Sequence, residues 1–170
     1  MTRNTLTVSR GKRRSAARLA AVQALYQLDI AGGGVEEVVG EFNNCRLGGE
    51  VDGEQLIEAE PELFGDLVLG VTQRRTEIDQ RLTVVIHDEL TFDRFELLLR
   101  VILRAGAYEI LARGDIDTSL TISEYVDVAN SFFVNRESSM VNRILDRLAH
   151  AHRSDDLGVL PHDACDEPER

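Results

Sequence analysis

The chain has 170 residues and a mass of 19.0 kDa, one domain's worth of sequence, long enough to bury a single sizeable core and too short for two catalytic domains. Apolar residues make up 43% of it, but only 5% is aromatic, there is no Trp and only three prolines interrupt it, which is a globular, helix-leaning composition. No run approaches the roughly 18 to 20 apolar residues of a membrane span, and the amino terminus lacks the apolar core of a signal peptide, so a cytoplasmic location is expected.

The formal net charge of −11 would ordinarily argue against nucleic acid, because acidic surface repels a polyanion. That average conceals an asymmetry. Arg3, Arg10, Lys12, Arg13, Arg14 and Arg18 fall in residues 1–18 with no acid among them, giving +6, while the remainder holds 13 basic and 30 acidic groups, giving −17. A basic arm on an acidic globule suits contact with phosphate; a solubilising start or a targeting remnant is the alternative on charge alone.

In chain order, Ala17, Ala20, Ala21, Ala24, Leu25 and Leu28 recur at three- and four-residue spacing and predict an amphipathic helix over 13–29. Arg14 and Arg18, four apart, would share one of its faces. Gly32, Gly33 and Gly34 should end it. Residues 35–42 predict a short second helix, and the Gly-, Asn- and Asp-rich stretch 43–59 reads as a long loop or insertion. Pro61 suits a first helical position ahead of the stripe Leu63, Phe64, Leu67, Val68 and Val71, which reaches toward Arg75. Ile78, Leu82, Val85 and Ile86 continue the pattern over 77–87. Asp93 and Glu96 have the spacing of a capping box before a strongly apolar helix over 94–112, expected to be the central, most buried one.

Arg104, Tyr108 and Glu109 lie on that apolar helix, where bracing of the core is the favoured role and contact with a partner the alternative. Thr121 and Glu124 repeat the capping-box spacing ahead of Tyr125, Val128, Ala129, Phe132 and Phe133. A last helix begins at Ser138 or Ser139 and carries Met140, Val141, Ile144, Leu145 and Leu148. From Arg153 the tail is acidic, with Gly and two prolines, and reads as disordered. No segment alternates with period two for long enough to build a sheet. The expected fold is therefore all-α, a single-domain bundle of about six or seven helices: 1–11 a basic flexible arm, 12–152 the helical domain, 153–170 a disordered acidic tail.

The sequence carries no recognisable catalytic constellation. It has no GxxxxGK[ST] loop and no GxGxxG after a strand, and Gly32 to Gly34 end a helix where a phosphate loop would begin one. His87, His150, His152 and His162 form no HExxH motif or Cys/His cluster, so no metal is expected. Cys45 and Cys165 stand far apart with no CxxC pair, and both read as free thiols. Ser138 and Ser139 lack a glycine elbow and read as helix caps. The expectation is a protein that is not an enzyme and uses no cofactor.

Four blocks carry a resemblance. The segment Arg13-Arg14-Ser15-Ala16-Ala17-Arg18-Leu19-Ala20-Ala21-Val22-Gln23-Ala24-Leu25-Tyr26 resembles the arginine-rich first helix, ending AVQALY, of the bacterial transcription antitermination factor NusB family. Leu63 to Val71 resembles the family's third-helix block, and Ile102 to Ile110 its LR-x-x-x-YEL helix. Ile122 to Ala129, followed by Val141 to Asp146, resembles its paired motifs INEAVELA and VNGVLD. The four lie in register over 13–148.

The resemblance implies an all-helical, noncatalytic factor. Such a factor binds the boxA element of nascent ribosomal RNA transcripts together with the ribosomal protein NusE. It acts within the elongating RNA polymerase complex alongside other Nus factors. By position it implies RNA contacts from Lys12, Arg13, Arg14, Arg18 and Tyr26, and from Phe132 and Arg136 at the turn into the final helix. Arginines suit phosphates, and aromatic faces suit unstacked bases. An acidic body would suit a basic ribosomal protein. The chain departs from the family pattern at Asp117-Thr118, Asn130, Asn135-Arg136-Glu137 and Arg143, mostly around the second RNA-facing stretch. Two other readings stand beside this one: a diverged protein-docking adaptor without RNA binding, and the noncatalytic domain of a ribosomal RNA cytosine methyltransferase, for which the chain leaves no room for a catalytic domain. The sequence also leaves open a homodimer that buries the arginine patch.

Overall fold

The computed structural model describes residues 9–45, 50–51, 54–55, 57–86, 91–134 and 136–157; the start of the basic arm, His87, Asn135, His162, Cys165 and the tail from residue 158 lie outside the described residues. Seven α-helices account for most of these residues: α1 Arg10–Ala31, α2 Val35–Cys45, α3 Pro61–Gln73, α4 Arg75–Val85, α5 Leu97–Ala112, α6 Thr118–Phe132 and α7 Glu137–Leu157. The all-α architecture expected from the periodicity is the one observed. One small departure lies in the segment read as a loop, where Glu50–Val51 pairs antiparallel with Glu54–Gln55.

The centre of the bundle is α5, in which every residue from Val101 to Ile110 is buried. It packs against α1, α3, α4, α6 and α7, as its nearly all-round apolarity requires. Helices α1 and α3 run side by side in the same direction. At one end the Glu60 amide, just ahead of α3, donates to the Arg13 carbonyl at 3.1 Å. At the other, Asp29 near the end of α1 pairs with Arg75 just past α3. Helix α2 covers them, with Phe42 stacked on Phe64 at a ring separation of 5.6 Å. Helices α6 and α7 pack against each other and close the far side.

Five helix starts differ from the sequence reading: α1 begins at Arg10, ahead of the expected position 13, α4 at Arg75, ahead of position 77, and the other three differ in how they are capped. Helix α5 begins at Leu97, not Arg94, because Phe92 and Phe95 are buried in an edge-to-face pair and hold residues 92–94 in a 3-10 turn. The expected box of Asp93 and Glu96 does not form, and Glu96 caps α5 without a side-chain bond. Helix α6 begins three residues before Thr121, where the Asp117 carboxylate accepts the Leu120 amide at 3.1 Å. Thr121 is buried inside the helix, and Glu124 is committed to an ion pair with α1. Helix α7 starts at Glu137, just ahead of the two serines, and runs to Leu157, past the expected boundary at 152. The glycine stop is as expected: α1 ends at Gly32, whose φ of 68° only glycine adopts without strain.

Candidate nucleic-acid interface

Helix α1 starts against its own electrostatics. The Ser9 side chain caps it by accepting the Lys12 amide at 3.4 Å, and its first turn contains no acid. Instead Arg10, Lys12, Arg13 and Arg14 occupy the first two turns, where the unpaired amides and the helix dipole already present positive potential. Cations at this end oppose helix stability, and such local conflicts tend to mark binding sites. Arg10 is 80% exposed and Lys12 exposed, with Arg13 and Arg14 half-buried beside them. Together they form a ridge on which an anion is favoured.

Across that ridge lies a residue that no motif or spacing singles out. The Glu60 carboxylate stands between two of the arginines, with Oε1 3.5 Å from Arg10 Nε and Oε2 3.3 Å from Arg14 Nε. Nothing in the local pattern around Pro61 announces this pairing, because the partners are remote in sequence.

Arg18 must be moved from the expected RNA face to the interior. Its side chain is 2% exposed, and its guanidinium meets the fully buried Glu109 carboxylate through Nε at 3.2 and 3.0 Å and again through Nη2. Nη1 reaches Glu124 on α6 at 3.2 Å, and the Tyr125 hydroxyl donates to Glu109 Oε2 at 3.0 Å. Arg14 and Arg18 therefore do not share a surface. Burial alone would lower the Arg18 pKa, but its hydrogen bonds and proximity to Glu109 outweigh this and hold it above the ordinary arginine value. The node ties α1, α5 and α6 together and so fixes the ridge on the bundle.

Burial, reinforced by the Glu109 charge, pushes the Tyr125 hydroxyl well above the ordinary tyrosine value of 10.0. Below that value both folded and unfolded chains keep the proton, and stability gains no pH dependence from it. Above it the unfolded chain releases the proton first, so stability falls as pH rises, by up to about 1.4 kcal/mol per pH unit. Tyr125→Phe is expected to lose about 1 kcal/mol near neutrality through the missing hydrogen bond. It should also show a shallower alkaline decline in urea unfolding from about pH 8 to 11. Tyr108, also raised by burial and by Asp66, keeps part of the slope in the variant. Alkaline limbs of equal steepness would contradict this account.

The remaining expected site residues lie elsewhere. Tyr26, 37% exposed, stands on the later part of α1. Phe132, 39% exposed, and Arg136, exposed, flank the turn between α6 and α7, while Phe133 packs against the core. Among the described residues this turn is joined to α1 through α6, which packs on α1 and carries Glu124, a partner of Arg18. The bracing role expected for the polar residues of α5 is observed. Arg104 binds Asp79 through Nε at 2.7 Å and Nη2 at 3.0 Å, and reaches Asp29 at 3.1 Å. The Tyr108 hydroxyl donates to Asp66 at 2.9 Å, and Asp66 also accepts from Arg113 at 2.9 Å.

Set beside known proteins, the NusB family model matches residues 15–150. The chain belongs to the NusB family. Relatives called "Transcription antitermination protein NusB" include that of Bradyrhizobium sp. (strain ORS 278), 47% identical over 152 residues, covering 89% of this chain and 90% of the relative. The one from Brucella anthropi is 46% identical over 149 residues, covering 88% of this chain and 89% of the relative. Among solved structures, T. maritima NusB superposes with a TM-score of 0.68 at 24% identity, over 84% of this chain and 94% of that one. A complex of antitermination factors NusB and NusE with dsRNA gives a TM-score of 0.68 at 22% identity, over 82% of this chain and 98% of that one. These superpositions establish the NusB fold for the bundle, and family membership makes the chain a non-enzymatic factor. The basic ridge of Arg10 to Arg14 lies just ahead of the stretch that the NusB family model matches, so its role rests on its own geometry.

Proposed function

We propose that this chain is a transcription antitermination factor that binds boxA-type single-stranded RNA of nascent ribosomal RNA transcripts together with a NusE-type ribosomal protein, in the cytoplasm. In this reading it acts as part of the RNA polymerase elongation complex with other Nus factors. The observation that carries it is the ridge of Arg10, Lys12, Arg13 and Arg14 on the first turns of α1, in a chain whose remaining charge is strongly acidic. The names of its relatives, and a fold shared with a NusB that was solved with NusE and RNA, support it. Tyr26 and Phe132 supply exposed rings for stacking, and Arg136 a second phosphate contact. Arg18 serves by holding α1 in place.

The test is binding of a short boxA-type RNA and a scrambled control at several salt concentrations, with and without the NusE-type protein. Preference for boxA that strengthens with the partner is expected. Arg14→Ala should weaken binding and flatten the slope of log affinity against log salt by about 0.7, the contribution of one phosphate contact on a single strand. Arg136→Ala should do the same, since its exposed guanidinium at the α6–α7 turn offers one phosphate contact. Binding to the partner with no RNA preference would instead make the chain a protein-docking module.

A further inference from the structure

Glu60 occupies the centre of the basic ridge, and its position is not accidental to a loose loop. Its amide is bonded to the Arg13 carbonyl, its own carbonyl accepts the Phe64 amide, and Pro61 follows as the first residue of α3. The backbone is therefore pinned beside α1, and the carboxylate has little choice but to face the arginines. Its side chain is 18% exposed, and that of Arg14 is 20%. The contacts it makes are nonetheless poor hydrogen bonds. Arg14 Nε is buried and has no hydrogen-bond partner despite lying 3.3 Å from Glu60 Oε2, and Arg13 Nε is likewise buried without one. A carboxylate that is close in charge and misaligned in geometry gives Coulomb attraction without the directed bonds of a forked pair. Such a contact is easily exchanged for a better acceptor.

We propose that Glu60 is an internal competitor for phosphate: in the free protein its carboxylate occupies the place between Arg10 and Arg14 that a backbone phosphate of a bound single strand takes. This deepens the reading given above and rests on it for the identity of the polyanion. The phosphate brings two charged non-bridging oxygens, free to align, to arginines whose Nε donors are poorly satisfied, and Glu60 turns aside into solvent. The carboxylate thereby raises the threshold for binding. A polyanion held by charge alone then binds less well, while a strand that also offers bases to the exposed rings of Tyr26 and Phe132 has a further source of affinity. Glu60 in this sense acts against binding of polyanions by charge alone.

The variant to make is Glu60→Gln, which keeps the size and the backbone bonds, and its folding is checked by its thermal melt. With a labelled boxA-type RNA, affinity at low salt is expected to rise roughly three- to tenfold, the size of two weak ion pairs removed from the competition. The salt slope should steepen by about 0.7 for each arginine released. The scrambled RNA should gain by a similar factor, since a backbone phosphate contact carries no sequence information. Weaker binding with an unchanged slope would overturn the proposal and make Glu60 a prop for the arginines. Weaker binding with altered base preference would overturn it by making Glu60 a reader of bases. No change in affinity or slope would show the ion pairs to be idle. A parallel titration with inorganic pyrophosphate, followed by NMR at the Arg14 side chain, separates this from the RNA reading. If neither protein binds RNA but Glu60→Gln responds at several-fold lower pyrophosphate, the RNA reading fails and the competition stands; an equal response in both overturns the competition.

Discussion

Replacement of Glu109 by alanine is expected to destabilise the protein by about 3 to 5 kcal/mol, the cost of stranding a buried charge. Glu109 is fully buried and accepts from Nε and Nη2 along one edge of the Arg18 guanidinium and from the Tyr125 hydroxyl. Without it Arg18, itself 2% exposed, keeps only the contact with Glu124, and the Tyr125 hydroxyl loses its acceptor. Urea unfolding should show the midpoint lowered with the slope unchanged, since the same surface is exposed. The paired replacement Arg18→Met with Glu109→Leu should recover most of the loss, because apolar residues of similar volume fill a buried ion pair's place at little cost. A loss below about 1 kcal/mol for Glu109→Ala would mean that water reaches the Arg18 guanidinium and that the node is not a dry one.

The second large effect runs against helix propensity. Gly70 lies within α3, where alanine would ordinarily add about 1 kcal/mol of stability. Here a Cβ would stand 2.0 Å from the Tyr108 Cζ and 2.3 Å from its hydroxyl oxygen. The ring cannot simply swing away, because its hydroxyl is bonded to Asp66 at 2.9 Å and Arg74 lies over its face at 5.9 Å. Gly70→Ala is therefore expected to cost about 2 kcal/mol net, through overpacking and the lost Tyr108 bond. A double-mutant cycle decides the cause: in a Tyr108→Ala background the same alanine should become neutral or stabilising. Equal costs in both backgrounds would exclude the clash.

Much of this was legible in the chain. The apolar stripes marked every helix, and the density of apolar residues around Arg104 to Ile110 identified the central one. What periodicity could not supply was the choice among caps. Asp93 with Glu96 and Thr121 with Glu124 have capping spacing, but the buried Phe92 and Phe95 fixed one start and Asp117 captured the other. Arg18 shows a different failure. Spacing of four placed it with Arg14, yet it also stands one turn from Ala21 and Val22, inside the buried stripe of α1. An arginine there needs a carboxylate inside the bundle, and Glu109 on the most apolar helix was the natural complement. Glu60 gave no such signal, since its partners are set by the way α3 docks on α1.

The Arg18 node also has a bearing on the order in which the chain becomes a protein. Glu109 lies 91 residues after Arg18, and Glu124 lies 106 residues after it. On a ribosome adding about 5 to 20 residues per second, the first helix waits roughly 5 to 20 seconds before the acid that neutralises its interior cation exists. Until then Arg18 has no carboxylate to enter the bundle with, and seating α1 against its final neighbours would bury an unpaired charge. The helix made first therefore reaches its final surroundings only once α5 and α6 have been made.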